Sequence, residues 1–85
     1  MDYRPVLFHN QLSTHSAKVR RTLRRLGVDV DERNILLSRR NRAELRRMAG
    51  DARVPCLLIG STVVEGPDAI IKYLTLRFGG QDPSS

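Results

Sequence analysis

Apolar residues recur along the chain at two spacings, which alternate between strand-like and helix-like segments. The first apolar run, Val6-Leu7-Phe8, follows Pro5 and predicts a buried strand, because a proline cannot donate to a ladder and marks its beginning. From Ser13 the spacing becomes helical and ends at Gly27, and serines at such a start are good N-caps. The residues expected to be buried on this helix are Ala17, Val19, Leu23 and Leu26.

The remaining segments follow the same two spacings. Residues 28–37 mix β-branched and apolar residues with polar ones and predict a second strand. "SRRNRAELRRMAG" predicts a shorter helix that buries Ala43, Leu45, Met48 and Ala49. "RVPCLLIG" and "TVVEG" predict two strands joined by a tight turn at Gly60-Ser61. "PDAIIKYLTLRFG" predicts a last helix that buries Ile70, Ile71, Leu74 and Phe78.

This order, β-α-β-α-β-β-α, predicts one α/β sheet domain of two or three layers, a parallel βαβ half followed by a hairpin and a helix. We assign residues 1–79 to the domain and residues 80–85 to a flexible C-terminal tail. The sequence has no apolar run of membrane-spanning length and no signal-peptide core at its start. We therefore expect no membrane association and a cytoplasmic location.

Charge changes the picture of possible partners. Fifteen Lys and Arg against nine Asp and Glu give a net charge of +6, which favours anionic partners such as an acidic protein, a nucleic acid or a small carboxylate. An alternative is that the charges are only the solvated faces of two amphipathic helices, since few aromatics accompany them. The clustered residues are Lys18, Arg20, Arg21, Arg24 and Arg25, and then Arg39, Arg40, Arg42, Arg46 and Arg47.

The sequence offers little for thiol or metal chemistry. Cys56 is the single cysteine, so no internal disulfide can form, and its place on a predicted core strand favours a buried, inert thiol. His9 and His15 are the two histidines, and this supply of ligands gives no support to a metal site.

Three motifs in a fixed order carry a resemblance to a known family. "SxxSxKVR", from Ser13, stands in the place of a CxxC motif and the basic turn that follows it. "LRRMAGDARVPCLLIG" resembles the glutaredoxin passage that ends in T-V-P, and "EGPDAIIKYL" is similar to the transferase motif E-S-x-A-I-x-x-Y-L. Over residues 6–78 the chain thus resembles glutaredoxins and the N-terminal domain of glutathione transferases. The resemblance implies a thioredoxin-like fold with a central four-stranded mixed sheet.

The resemblance also implies a glutathione site. The family's proline is cis, so Pro55 would be cis, and the backbone of Val54 would pair with the cysteinyl group of the ligand. The start of the last helix, at Gly66 and Asp68, would receive the γ-glutamyl carboxylate. Pro67 departs from the family pattern because it replaces a serine or cysteine and supplies no N–H. Read without the resemblance, the proline is trans at an edge strand and Asp68 is a first-turn helix charge.

A cation is needed for the glycine carboxylate at the far end of glutathione. By the resemblance, Arg42 or Arg53 would hold it, because a guanidinium can grip a carboxylate through two parallel hydrogen bonds. Taken alone, each arginine is better read as solvated surface than as a ligand.

The two serines of the first motif exclude one chemistry and permit another. Dithiol exchange at Ser13 and Ser16 is impossible, because its nucleophile must be a thiolate. Several transferase classes use a serine here whose hydroxyl bonds the ligand's sulfur and lowers its pKa, which activates glutathione as a nucleophile. Ser13 would take that catalytic role, with Ser16 second. The other function left open is a non-catalytic module that binds an acidic protein or a nucleic acid through its basic helices.

Overall fold

A computed structural model describes residues 4–51 and 53–79 of the chain. The predicted tail, residues 80–85, lies outside the described residues. The order β-α-β-α-β-β-α predicted from the sequence is confirmed. The elements are β1 (Val6–His9), α1 (Thr14–Leu26), β2 (Asp31–Asn34), α2 (Arg39–Ala49), β3 (Cys56–Ile59), β4 (Thr62–Glu65) and α3 (Pro67–Phe78).

The four strands form one mixed sheet in the order β2-β1-β3-β4. β1 runs parallel to β2, while β3 is antiparallel to both β1 and β4. Ile59 is the partner of Thr62, so Gly60 and Ser61 form a two-residue turn at the predicted place. Gly60 has a φ of 60°, as the first position of a type II′ hairpin turn requires. The predicted α/β class with a central mixed sheet is therefore confirmed.

Helices cover both faces of the sheet, which makes three layers. Side chains alternate along β1, so that Leu7 packs with α1 and α3 while Phe8 faces the other side. The first cluster consists of Leu7, Val19, Leu23, Leu57, Ile70 and Leu74. The second, smaller cluster lies under α2 and consists of Phe8, Ile35, Leu45 and Cys56.

Two alanines predicted to be buried are exposed. In α1, Ser16 and Thr22 turn inward beside Val19 and Leu23, and Ala17 faces solvent. Ser16 can be buried because its hydroxyl has a hydrogen-bond partner inside the fold. In α2, Leu45 is fully buried, whereas Ala43 lies on the outer side of the helix.

The second strand is shorter than the predicted segment 28–37. Val28, at its start, bonds back to the end of α1 instead: the Val28 N–H donates to the Leu23 carbonyl. Pairing with β1 begins where the Asp31 N–H donates to the carbonyl of Pro5. Ile35 follows the strand, its N–H donating to the carbonyl of His9, and its side chain is buried. β2 is thus a polar edge strand whose length matches that of β1.

A charged bridge joins β2 to α2. Nη1 of Arg33 lies 2.8 Å from each carboxylate oxygen of Glu44, and its Nη2 lies 3.1 Å from Oδ2 of Asp31. The same guanidinium stands 5.9 Å from the centre of the Phe8 ring. Arg33 therefore neutralises both carboxylates and covers the edge of the smaller core cluster.

Candidate functional site

A groove of about 370 Å³ opens where the first turn of α1, the segment before β3 and the start of α3 meet. Its walls carry one cation, one carboxylate and an imidazole around an apolar floor. The lining residues are His15, Arg53, Val54, Pro55, Glu65, Gly66 and Pro67. Four of the residues expected at a ligand site, Arg53, Val54, Pro55 and Gly66, therefore come together in one concavity.

The segment before β3 presents backbone groups to the groove. The Val54–Pro55 peptide bond is cis. The N–H of Gly66 donates to the carbonyl of Pro55 at 3.1 Å, which continues the β3–β4 pairing past Glu65. Among residues 4–51 and 53–79, no hydrogen bond engages the N–H or the C=O of Val54. These two groups are available to an extended ligand.

The start of α3 forms a second wall with free donors. Gly66 is the N-cap, with a φ of 91° that favours glycine, and no side chain caps this helix. The first bond of the helix runs from the Ile70 N–H to the Gly66 carbonyl. Within the described part of the chain, the N–H groups of Asp68 and Ala69 have no acceptor. A helix start of this kind attracts a carboxylate.

Two charged side chains line the groove, those of Arg53 and Glu65. Arg53 is 88% exposed, and its Nε lies 3.8 Å from Oδ2 of Asp51. Glu65 ends β4 and is also exposed. Asp68 does not line the groove: its Oδ1 lies 3.8 Å from Nζ of Lys18, with both side chains largely in solvent. Such an exposed pair holds its partners only weakly.

The two serines have different environments. Ser13 is the N-cap of α1, partly buried, and its Oγ accepts from the Ser16 N–H at 3.4 Å. Ser16 is completely buried, and its Oγ accepts from the Asn10 N–H at 3.1 Å. Ser13 does not line the groove itself, although His15, two residues later, does. Of the two hydroxyls, that of Ser13 is the one with access to the surface.

Arg42 lies apart from the groove. Its Nη2 donates to the carbonyl of Ile35 at 3.1 Å, and with Arg39, Ala43 and Arg46 it lines a separate cavity of about 240 Å³. The structure thus brings Arg53, and not Arg42, to the groove. Arg53 immediately precedes Val54 in the chain, whereas the bond to Ile35 holds the Arg42 side chain near the end of β2.

The groove contains one residue that sequence reasoning missed. Glu65 is the partner of Cys56 in the β3–β4 register, which brings it beside Pro55. This position of Glu65 could have been predicted from the hairpin, since a two-residue turn fixes which residues of the two strands oppose each other. His15 also lines the groove, although the sequence motifs assigned it no role.

The thiol of Cys56 is buried on β3. Burial, together with the nearby carboxylates of Glu65 and Asp51, raises its pKa to about 11. This thiol is therefore protonated at neutral pH and unreactive. In the described ranges, no three His, Cys, Asp or Glu side chains are grouped as metal ligands, and no helix is long and apolar enough to cross a membrane.

The family model for the N-terminal domain of glutathione S-transferase matches residues 7–82 of the sequence. The chain belongs to this family. No curated protein sequence shows a significant match to this chain.

Solved structures show the same fold. A glutathione transferase homolog from Drosophila mojavensis, with bound glutathione, superposes with a TM-score of 0.79 at 24% identity over 89% of this chain and 36% of its own. An unclassified glutathione S-transferase from Bombyx mori gives 0.81 at 21% identity over 94% of this chain and 38% of its own. A buckwheat glutaredoxin–glutathione complex gives 0.70 at 20% identity over 88% and 69%. The chain therefore spans little more than a third of these two transferases.

Proposed function

We propose that the groove binds glutathione. The observation that carries this proposal is the combination, in one concavity, of the unpaired backbone groups of Val54, the uncapped start of α3 and the guanidinium of Arg53. Glutathione is an extended tripeptide with a carboxylate at each end, and this set of groups matches it. Membership of the transferase family and the glutathione in two of the structural neighbours support the proposal.

Each part of the ligand has a suitable partner. The N–H and C=O of Val54 would pair with the cysteinyl residue, as in the addition of a short strand. The N–H groups of Asp68 and Ala69 would receive the γ-glutamyl carboxylate. Glu65 is available for the ammonium group beside it, since Asp68 is already near Lys18. Arg53 would hold the glycine carboxylate.

When bound, glutathione would supply a thiol that can act as a nucleophile. In our proposal the Ser13 hydroxyl donates to this sulfur, which favours the thiolate form and lowers the pKa of the thiol. Ser16 is unsuited to the role because it is buried and its oxygen already accepts a bond. The activity expected of an assembled enzyme is transferase-like, and dithiol exchange is not expected from a chain with one cysteine.

The expected affinity is weak. Pro67 stands at the first position of α3 and has no N–H to give to the ligand's carboxylate. A carboxylate short of one donor binds less tightly by about 1–3 kcal/mol, which is roughly ten- to a hundredfold in affinity. We expect a dissociation constant between about 0.1 and a few millimolar on that scale.

The test is a titration of the ¹⁵N-labelled protein with reduced glutathione to about 10 mM, the range set by millimolar affinity. We expect saturable amide shifts at His15, Val54 and Asp68, and none along the outer side of α2. Potassium glutamate at equal ionic strength is the control for a general salt effect. A titration without shifts at these three amides contradicts the proposal and leaves the non-catalytic module as the better function.

A further inference from the structure

The outer side of α2 carries an unusual concentration of positive charge. Four of its arginines are exposed and one is partly buried, and we refer to the five together as the α2 arginine face: Arg39, Arg40, Arg42, Arg46 and Arg47. The helix has one acidic residue, Glu44, and its carboxylate is turned to Arg33 on β2. The face itself contains no negative charge.

No carboxylate of the described residues forms an ion pair with this face. Arg42 donates to the Ile35 carbonyl, a neutral acceptor, and leaves its charge uncompensated. Arg39, Arg42 and Arg46 line one cavity of about 240 Å³, with Ala43 as its small apolar floor. Three arginine side chains therefore line one space that is open to solvent.

This arrangement destabilises the isolated domain. Arg42 and Arg46 are four residues apart and repel each other, as do Arg39 and Arg42 at a spacing of three. Arg39 and Arg40 lie in the first turn of α2, which contains no acidic residue, so their charges stand at the positive end of the helix dipole. Each of these features is unfavourable, and together they produce a strong attraction for a polyanion.

We propose that the α2 arginine face binds the phosphate backbone of a nucleic acid duplex without reading its sequence. Guanidinium groups match phosphate oxygens in fork geometry. Arg39 and Arg46 are about 10 Å apart along the helix axis, which spans about three nucleotide steps of one strand. Contacts of this kind position a protein on the backbone and carry no sequence information.

The composition of the face favours a duplex over the other anionic partners. It has no aromatic side chain on which the bases of a single strand could stack. Its one apolar residue, Ala43, is too small to form the buried core of a protein interface. Phosphates, in contrast, require only charge and hydrogen-bond donors.

This site and the glutathione groove share no lining residue. The groove is built by α1, the segment before β3 and the start of α3, whereas the arginine cavity is lined by α2 alone. Substitutions on the arginine face therefore leave glutathione binding as a separate readout.

The experiment measures fluorescence anisotropy of a labelled 20-base-pair DNA duplex between about 50 and 200 mM KCl, the range in which phosphate contacts are lost. Five phosphate contacts predict a slope of log K against log[KCl] of about −4.5, at about 0.9 per contact. The test variant is R39Q/R46Q/R47Q, which keeps Arg42 because of its bond to Ile35. We expect its slope to decrease in magnitude by about 3 and its affinity at 0.1 M salt to fall on the order of a hundredfold.

Matched variants separate this site from general charge. R21Q/R24Q/K72Q removes the same charge from α1 and α3, and we expect its slope to change by less than about 1. R39K/R46K/R47K keeps the charge and should keep the slope. Thermal unfolding checks that each variant is folded. We expect R39Q/R46Q/R47Q to be about as stable as the parent, because relief of repulsion offsets the loss of Arg46 and Arg47 from the favourable C-terminal end of the helix dipole.

Three results would overturn the proposal. One is the absence of duplex binding at 50 mM KCl, and another is an equal loss of affinity in R21Q/R24Q/K72Q. The third is tighter binding of a polyglutamate peptide than of the duplex, which would identify an acidic protein as the better partner.

Discussion

The backbone N–H of Asn10 donates to the hydroxyl of Ser16 at 3.1 Å, a bond that ties the loop after β1 to the first turn of α1. Ser16 has no exposed surface. The backbone N–H of Ser13 donates in turn to the Asn10 carbonyl. Asn10 is thus held from both of its backbone groups. This pair of bonds fixes the entry to α1, and with it the position of Ser13 beside the groove.

Replacing Ser16 by alanine should destabilise the domain. The Asn10 N–H would remain inside the loop without an acceptor, which lowers the free energy of unfolding by about 1–3 kcal/mol. Urea denaturation measures the change. Ser13→Ala is the comparison, because it removes only an N-cap side chain and should cost about 1 kcal/mol. A Ser16→Ala variant as stable as the parent would show that the bond contributes nothing.

Ser13→Ala should change the bound thiol more than the affinity. If the Ser13 hydroxyl donates to the sulfur of glutathione, its loss raises the pKa of the bound thiol. We expect the dissociation constant to change by no more than about twofold, which is well below the 1.4 kcal/mol that a tenfold change represents. Thiolate absorbance of the complex, followed against pH at saturating glutathione, gives this pKa. An unchanged pKa in the variant would mean that Ser13 acts only as the N-cap of α1.

Substitutions of Arg53 and Arg42 should differ in their effect on the affinity for glutathione. Arg53→Ala removes the cation of the groove and should weaken binding by about two- to fivefold, a small effect because the side chain is 88% exposed. The difference should shrink with added salt. Arg42→Ala is the matched control, since Arg42 lines another cavity. Equal losses in the two titrations would argue against Arg53 as the partner of the glycine carboxylate.

His9 should make stability depend on pH. Burial lowers its pKa below 6.5, Arg20 lowers it further and Glu32 opposes the shift, while Nδ1 has no hydrogen-bond partner among the described residues. The unfolded chain therefore binds the proton more readily. Its contribution to stability is complete above about pH 6.5 and is lost as the pH falls through the lower pKa of the folded state.

The slope from this group is at most about 1.4 kcal/mol per pH unit. Urea denaturation of the parent between about pH 5 and 7.5, around the ordinary histidine pKa, measures it. His9→Asn should flatten the profile, and His15→Asn, on an exposed residue, should keep it. A profile unchanged by His9→Asn would assign the dependence to another group.

The sequence predicted the elements well where the apolar spacing agreed with the prolines and glycines that begin and end them. α3 begins at Pro67 and ends at Phe78, inside the segment that its apolar spacing indicated. It predicted less well where tertiary contacts decide: β2 contains only polar residues and exists because β1 offers a parallel edge. Ala17 was expected inside because it is apolar, but the bond to Asn10 lets Ser16 take the inward position.

The candidate site was predictable in part. Arg53, Val54 and Pro55 are consecutive, so one motif identified all three. Glu65 joins them only through strand register, and Arg42 lines a different cavity. Neither relation is visible in a local motif. Side-chain identity can be read along a chain, whereas the face of an element that meets the groove depends on packing.

The smaller core cluster under α2 affects where the domain unfolds locally. Leu45 is the one buried residue of the eleven in α2, all of which the structure describes, whereas α1 and α3 share a larger core with β1 and β3. Local unfolding should therefore start at α2, because charge repulsion acts on a helix that buries a single side chain. We expect the α2 amides to exchange with deuterium well before those of α1, and a bound polyanion to slow exchange in α2 alone.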